Sequence, residues 1–288
     1  MYSIVAPAKL NLHLEVLGKD PERTGYHQLR SLMVKIDLYD RLDLTIDLHN
    51  NNYQLQGFAI APEQDILYKS YQLFRELSGI NFGLDLQLTK KIPQQAGLGG
   101  GSADAGALLQ FLQKYFNYPL PLETLIRASA SIGADIPFFV QSASVALVEG
   151  IGERITPLTS PSTPLVFLLI KPNEAMPTAQ AFRTLSKEIS TKRATLSAEQ
   201  LRDLWEDHPI NETHPHFFNH FIEALTDDFP QTRSILHALR THTDVQWASM
   251  SGSGTTLFAR IKDSQRARQL QQEYQDKGFF SQIVTTLG

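Results

Sequence analysis

The segment Pro93-Gln94-Gln95-Ala96-Gly97-Leu98-Gly99-Gly100-Gly101-Ser102-Ala103-Asp104-Ala105 constrains the fold more than any other part of the chain. Four of the five positions 97–101 are glycine, and a glycine inside a helix or strand costs about 0.5–1 kcal/mol relative to alanine. Before this run, Leu84 to Leu88 alternates apolar and polar residues as a strand does. After it, Ala107, Leu108, Phe111, Leu112 and Tyr115 recur at helical spacing within Ala103 to Phe116. The glycines are therefore predicted to form a loop between a strand and a helix. Such a loop bares backbone N–H groups beside the positive end of the helix dipole, a combination that suits a phosphate. A tight turn with no ligand is the alternative. Two commoner phosphate patterns are excluded. No Lys-Ser or Lys-Thr closes a G-x-x-x-x-G-K-[ST] loop, and G-x-G-x-x-G fails at Ser102.

A chain of 288 residues, 42% hydrophobic and 19% charged, can bury a sizeable core and is expected to form two domains. Its net charge of −4 speaks against a nucleic-acid partner, which usually meets a clustered basic face. There is no cysteine, which excludes disulfides, thiol chemistry and cysteine-based metal sites. The apolar run Leu165 to Ile170 is far too short to span a membrane. Met1 leads straight into the strand-like Tyr2-Ser3-Ile4-Val5, so no signal or transit peptide is expected and a cytoplasmic location is.

Further strands are expected at Leu10 to Val16, Leu32 to Ile36, Leu42 to Leu48 and Ser144 to Val148. Helices are expected at Ile66 to Leu77, stopped by Gly79, and at Leu122 to Ile132, stopped by Gly133. Residues 19 to 25 form a polar loop. Three prolines within 156 to 164 suggest a linker. Beyond it, Leu165 to Ile170 reads as a buried strand, and Thr178 to Glu188, Phe217 to Leu225 and Gln231 to Leu239 read as helices. Strands at Trp247 to Met250 and Thr255 to Ile261 flank Ser251-Gly252-Ser253-Gly254. A helix at Ser264 to Asp276 and a last strand close the chain. The irregular alternation of strands and helices indicates an α+β fold. The two domains are placed at residues 1–157 and 158–288.

Three further segments carry candidate chemistry. In Ala6-Pro7-Ala8-Lys9-Leu10-Asn11-Leu12, alternation puts Lys9, Asn11 and His13 on the face opposite the leucines. A cation beside an amide suits a polar substrate or a phosphate, and a solvated strand face is an equal alternative. In Gly133-Ala134-Asp135-Ile136-Pro137-Phe138-Phe139, one acid stands alone between glycine and an apolar run. It suits a general base if its surroundings tune it, although a helix cap beginning near Pro137 is the more ordinary role. The Gly-x-Gly of Ser251 to Gly254 is either a plain hairpin or a close approach of backbone to a ligand. His208, His214, His216 and His220 crowd one segment, but their spacing completes no zinc pattern, and a solvated loop with a helix start is the expectation. No metal-ligand set is assigned.

The pattern P-x-x-A-G-L-G-G-G-S-A-D-A resembles the ATP-binding motif of the GHMP kinases, the superfamily of galactokinase, homoserine kinase, mevalonate kinase and phosphomevalonate kinase. P-A-K-x-N-L, the glycine run, G-A-D-I-P-F and the late S-G-S-G stand in the order of one GHMP subfamily. That subfamily phosphorylates 4-diphosphocytidyl-2-C-methyl-D-erythritol in the non-mevalonate isoprenoid pathway. Gly25-Tyr26-His27 and Met176-Pro177-Thr178 with Phe182 add to the likeness, which leaves residues 186 to 216 uncovered. The resemblance implies a two-domain kinase with its active site in the cleft, an ATP-binding first domain, a substrate-binding second domain, and ATP with Mg²⁺ as cofactors. It implies Lys9 and Asp135 as the catalytic pair. It implies Asn11, Tyr26, His27, Thr178 and Phe182 as the substrate site, the substrate being a small cytidine diphosphate rather than a nucleic acid or a membrane. It implies Lys90, Pro93, Ala96, Gly97, Leu98, Gly99, Gly100, Gly101, Ser102 and Ala103 at the nucleotide, with Asp65 where the family has an asparagine that touches it. Another GHMP substrate (mevalonate, homoserine or a sugar) is the nearest alternative, and a non-catalytic sensor on the same fold is another. Tyr26, His27 and Phe182 favour a nucleobase-bearing substrate, and the presence of both Lys9 and Asp135 favours catalysis. A second departure from the subfamily lies at Asn219-His220-Phe221-Ile222-Glu223, where an Asn-Asp-x-Glu stretch is usual.

Overall fold

The computed structural model describes residues 1–58, 61, 64–188, 196–206 and 217–288, with side chains of 186–188 left aside. Two long strands open the chain, β1 (Tyr2–Lys19) and β2 (His27–Asp47). They pair antiparallel along nearly their whole length. The strands expected separately at Leu32 to Ile36 and Leu42 to Leu48 are therefore one, with register shifts opposite Pro7/Ala8, Asn11/His13 and Val16/Gly18 taking up the irregular stretches of the pattern. Next come β3 (Tyr53–Gln56), α1 (Ile66–Ser78), β4 (Gly83–Thr89) and α2 (Gly100–Tyr115). They are followed by α3 (Leu122–Ser129), α4 (Ile136–Val140), β5 (Val145–Gly150) and β6 (Arg154–Leu158). Strands β1 to β6 make one sheet, ordered β3-β4-β2-β5-β6 with β1 on β2.

The second half contributes β7 (Val166–Lys171), α5 (Thr178–Glu188), α6 (Ala198–Glu206), a 3-10 turn (His220–Ile222) and α7 (Pro230–Thr241). It ends with β8 (Val245–Met250), β9 (Leu257–Ile261), α8 (Ser264–Asp276) and β10 (Phe280–Thr285). Its four strands form an antiparallel sheet ordered β10-β7-β9-β8. Strand β6 takes in residues 154–158, so the proline-rich stretch is part strand and the crossing to the second sheet is shorter than 156 to 164.

The layers follow from the side-chain alternation. Leu67, Phe74, Leu108 and Phe138 of the helices pack with Leu42, Leu44, Leu86 and Met33 on one face of the first sheet. On its other face Leu10, Leu12, Val34 and Ile36 meet Phe167, Leu169, Phe258 and Val284 of the second sheet. The alternate residues Leu168 and Ile170 join Ala181, Leu236, Leu239 and Leu270 of the outer helices. Strand β7 thus has both faces covered, which is why its sequence is a continuous apolar run.

Helix ends are mostly where the sequence puts them. Asp65 accepts from the amides of Leu67 and Tyr68 to start α1, and Gly79, at φ +70°, ends it. Helix α2 starts at Gly100, so the last two glycines of the run lie in its first turn rather than in the loop. Helix α3 ends at Ser129, and turns lead on to Gly133. The expected helix at Phe217 to Leu225 shrinks to the 3-10 turn, because its backbone is spent elsewhere. Phe218 O accepts from Leu14 N at 2.8 Å, and Asn219 bridges Leu14.

Candidate active site

Strand β1 pairs with β2 along one edge only, and its other edge must find partners for its N–H groups. Loops from both halves of the chain supply them. Lys9 N donates to Leu98 O (3.0 Å), Asn11 N to Ser251 Oγ (3.2 Å), Leu14 N to Phe218 O and Val16 N to His220 Nδ1 (2.9 Å). The glycine loop, the Ser251 to Gly254 turn and residues 218–220 are thereby hung on a single strand. Between the glycine loop and that turn lies a cavity of about 810 Å³ lined from both halves of the chain.

The polar face of β1 is not solvated. Lys9, Asn11, His13 and Glu15 are all buried, so the solvated-face alternative is overturned. A period of two shows that a face is polar and leaves open what covers it. The Lys9 ammonium donates to Asn11 Oδ1 and to Gly97 O (3.0 Å), and lies 3.5 Å from Asp135 Oδ2. The Asn11 amide donates to Ser31 Oγ (2.9 Å), and that hydroxyl donates to His13 O (2.6 Å). Rotation of the amide is so opposed from both ends.

Asp135 holds the N-cap position of α4, but its backbone (φ −87°, ψ −14°) is not the extended one a capping side chain needs, and its carboxylate makes no cap bond. The ordinary helix-cap role is thus corrected. The carboxylate faces Lys9 and is about one-third exposed, at 32%. Helix α4 is pinned at its far end, where Gln110 Nε2 donates to Phe139 O (2.8 Å) and Gln141 O (3.0 Å) and the Lys35 ammonium donates to Gln141 O (2.8 Å). Gly106 lets α4 approach α2, since a Cβ there would lie 2.3 Å from Phe139 Cβ.

Gly97 and Gly99 carry the left-handed backbone of the loop, at φ +74° and +71°, and Gly100 does not. A Cβ on Gly97 would sit 1.9 Å from Ser251 O, so the glycine loop and the late turn are in backbone contact. Ser251 Oγ donates to Gly97 O at 2.8 Å, and Asn219 Nδ2 holds the same turn through Met250 O (2.7 Å) and Gly252 O (2.8 Å). The turn at Ser251 to Gly254 is therefore more than a plain hairpin, and Asn219 of the atypical Asn-His-Phe-Ile-Glu stretch has a defined task in it. The N-terminus of α2, at Gly100, Gly101 and Ser102, opens on the cavity, and Pro93, Ala96, Leu98 and Lys90 also line it. Ala103 does not line it and lies buried in the helical core.

Asp65 lines the cavity too, but its carboxylate is engaged. One oxygen serves the α1 amides and the other accepts from Tyr53 Oη at 2.8 Å. At the opposite end, Tyr26, His27, Thr178 and Phe182 line the cavity. The His27 and Phe182 rings are stacked, 4.6 Å apart at 17°, and Tyr26 is exposed. Burial, with help from Lys19, lowers the His27 pKa and favours a neutral ring. Thr178 Oγ1 lies 3.0 Å from Ser253 Oγ across the cavity mouth. His208, His214 and His216 lie outside the described residues. His220 accepts from Val16, and among the described residues no group of three potential ligands could hold a metal ion.

Sequence reasoning missed Ser31, which stands in no motif, and Asp40. It quoted Asp104 inside the glycine pattern without giving it a task. The Lys90 ammonium is paired with both carboxylates, at 2.7 Å from Asp104 Oδ2. Residues 65–143 match the family model for the GHMP kinases N terminal domain. The chain is 33% identical over 270 residues to the 4-diphosphocytidyl-2-C-methyl-D-erythritol kinase of Polaromonas naphthalenivorans, covering 91% of this chain and 86% of that one. It is 32% identical to the enzyme of the same name from Dehalococcoides mccartyi strain CBDB1, over 100% and 99% of the two chains. Among solved structures, a 4-(cytidine 5'-diphospho)-2C-methyl-D-erythritol kinase superposes with a TM-score of 0.79 at 27% identity, covering both chains fully. The Streptococcus pneumoniae phosphomevalonate kinase shares the fold, with a TM-score of 0.69 at 17% identity and full coverage of both chains.

Proposed function

The chain belongs to the 4-diphosphocytidyl-2-C-methyl-D-erythritol kinase family of the GHMP kinases, and from that membership we propose that it transfers the γ-phosphoryl group of ATP to a hydroxyl of 4-diphosphocytidyl-2-C-methyl-D-erythritol. The step serves isoprenoid synthesis by the non-mevalonate route. The observation that carries this reading is the Lys9–Asp135 pair, 3.5 Å apart, on the same cavity as the N-terminus of α2.

In this reading the triphosphate of MgATP lies against the first-turn amides of α2, where unpaired N–H groups and the helix dipole favour negative charge. The acceptor hydroxyl comes between Lys9 and Asp135. Asp135 takes its proton, the oxygen bonds to the γ-phosphorus, and the bond from that phosphorus to the ADP oxygen breaks. Lys9 stabilises charge on the attacking oxygen. Its ties to Asn11 and Gly97 hold it in place, so little reorganisation accompanies the transfer. Phosphoryl transfer rests largely on such positioning and electrostatics. The second half of the chain supplies Thr178 and Phe182 to the cytidine end, opposite Tyr26 and His27, and the first half holds ATP. The soluble cytoplasm is the proposed location.

A coupled ADP-release assay with 4-diphosphocytidyl-2-C-methyl-D-erythritol, mevalonate, homoserine and galactose tests the reading. The cytidine compound alone is expected to support turnover, and Asp135→Asn is expected to lower that turnover by about 10²–10⁴ while ATP affinity is kept. Turnover on one of the other acceptors would overturn the substrate, and wild-type turnover by Asp135→Asn would overturn the base.

A further inference from the structure

Beneath the glycine loop lies an ionic cluster that the proposed chemistry does not use. The Lys90 ammonium sits between the carboxylates of Asp40 on β2 and Asp104 on α2. It also lies beside the start of α2, since a Cβ on Gly100 would be 3.3 Å from Lys90 Nζ. The two carboxylates differ in how they are held. Asp40 is fully buried, and its Oδ1 accepts from the amides of Lys91 (2.5 Å) and Ile92 (2.9 Å). Asp104 is buried at 2% exposure, lines the cavity, and its Oδ1 has no hydrogen-bond partner among the described residues. One carboxylate is thus built into the turn that enters the glycine loop, and the other is held by side chains only, Lys90 and Asp40.

We propose that Asp40 and Asp104 form a divided clamp on Lys90, in which Asp40 anchors the ammonium permanently and Asp104 yields it to a nucleotide phosphate, taking up one proton from solvent as it does so. The proposal rests on the reading that ATP phosphates dock at the start of α2. With both carboxylates ionised the cluster carries one net negative charge, which opposes a polyanion. Protonation of Asp104 removes that charge and frees one direction of the ammonium for the phosphate. Among the described residues the charged groups that act on Asp104 are Lys90 and Asp40. Burial pushes its carboxyl up to about 7, with Lys90 opposing and Asp40 adding to the rise. Burial works against the Lys90 charge, but Asp104 and Asp40 outweigh it, so Lys90 stays charged throughout. Asp104 is a positioning residue, acting through Lys90.

The test is titration calorimetry of the intact protein with a non-hydrolysable ATP analogue and Mg²⁺, in two buffers of different ionisation enthalpy, at pH 6.5 and pH 8. The wild type should take up a fraction of a proton that rises towards one at pH 8. Its Kd should weaken from pH 6.5 to pH 8 by roughly five- to tenfold more than that of Asp104→Asn. The analogue's own terminal phosphate also titrates near neutrality, but it contributes equally to both proteins, so the difference isolates Asp104. Lys90→Met should bind more weakly at both pH values and take up no excess proton. Equal proton uptake by wild type and Asp104→Asn would overturn the clamp and leave the kinase reading standing. A wild type that binds no nucleotide would overturn both. Should Asp104→Asn not fold, equal uptake by wild type and Lys90→Met would overturn the clamp in its place.

Discussion

Gly97→Ala should damage this protein far more than its one added methyl group suggests. The position has φ +74°, and a left-handed backbone costs an L-residue about 1–2 kcal/mol. The new Cβ would lie 1.9 Å from Ser251 O, 2.9 Å from Ser251 C and 3.1 Å from Gly254 N. All three are backbone atoms and none can rotate away. Ordinary contact then requires the glycine loop and the late turn to part by about 1.5 Å. Such a shift breaks the bond from Ser251 Oγ to Gly97 O at 2.8 Å and that from Lys9 Nζ to the same oxygen at 3.0 Å. A neutral hydrogen bond is worth about 1 kcal/mol net, and one to a charged group about 1.5–3 kcal/mol. With the backbone cost, the destabilisation comes to about 4–6 kcal/mol, a large part of a typical 5–15 kcal/mol stability. The melting temperature should fall by about 10–20 °C. Because Lys9 loses a tether, kcat should fall on the order of 10²-fold even well below the melting point. Calorimetric melting and ADP-release kinetics on one preparation measure both. Gly101→Ala is the control, since its Cβ would meet only Ile66 Cγ2 at 3.8 Å, and its melting temperature should hold or rise slightly. A Gly97→Ala protein that melts and turns over like the wild type would refute the reasoning.

Three other outcomes are expected. Gly100→Val should remove nucleotide binding from a folded protein; its φ is not left-handed, so the cause is its Cβ, 3.0 Å from Ile92 Cγ2 and 3.3 Å from Lys90 Nζ. Undiminished affinity for a non-hydrolysable ATP analogue in calorimetry would mean that the loop is structural. Phe182→Ala should raise the KM for the cytidine substrate about tenfold and spare the KM for ATP, since base–aromatic stacking is worth about 1–3 kcal/mol; a loss of melting temperature with both KM values moving together would make Phe182 a packing residue only. Lys35→Met should flatten part of the pH dependence of stability. Burial lowers the Lys35 pKa from 10.5 to about 8, so between those values the unfolded chain binds more protons and wild-type stability rises with pH. Urea unfolding of both proteins at pH 7.5, 9 and 10 tests this, and identical slopes would count against a lowered Lys35 pKa.

The sequence by itself determined the parts with a local cause. The glycine run between a strand and a helix follows from backbone entropy and two periodicities. Gly79 as the end of α1, and helix α8 from Ser264 to Asp276, follow from capping and spacing. Lys9 and Asp135 were legible as a candidate pair only through the resemblance of their segments to the GHMP kinases, since their residue patterns alone suited a solvated strand face and a helix cap equally well or better. What lies over the polar face of β1 was not legible, because alternation separates two faces without saying which neighbour covers either. The tertiary structure decided that Lys9 and Asn11 are buried and that Asp135 turns from its helix towards Lys9. It decided that residues 217–225 spend their backbone on the free edge of β1 instead of on a helix. It also brought Asp40, Lys90 and Asp104 together from β2, the end of β4 and α2. Such contacts join residues far apart in the chain, and local pattern carries no record of them. Burial then sets what each charge does, because the same carboxylate is an ordinary acid in water and a poised one where it is buried and shares one lysine with a second carboxylate.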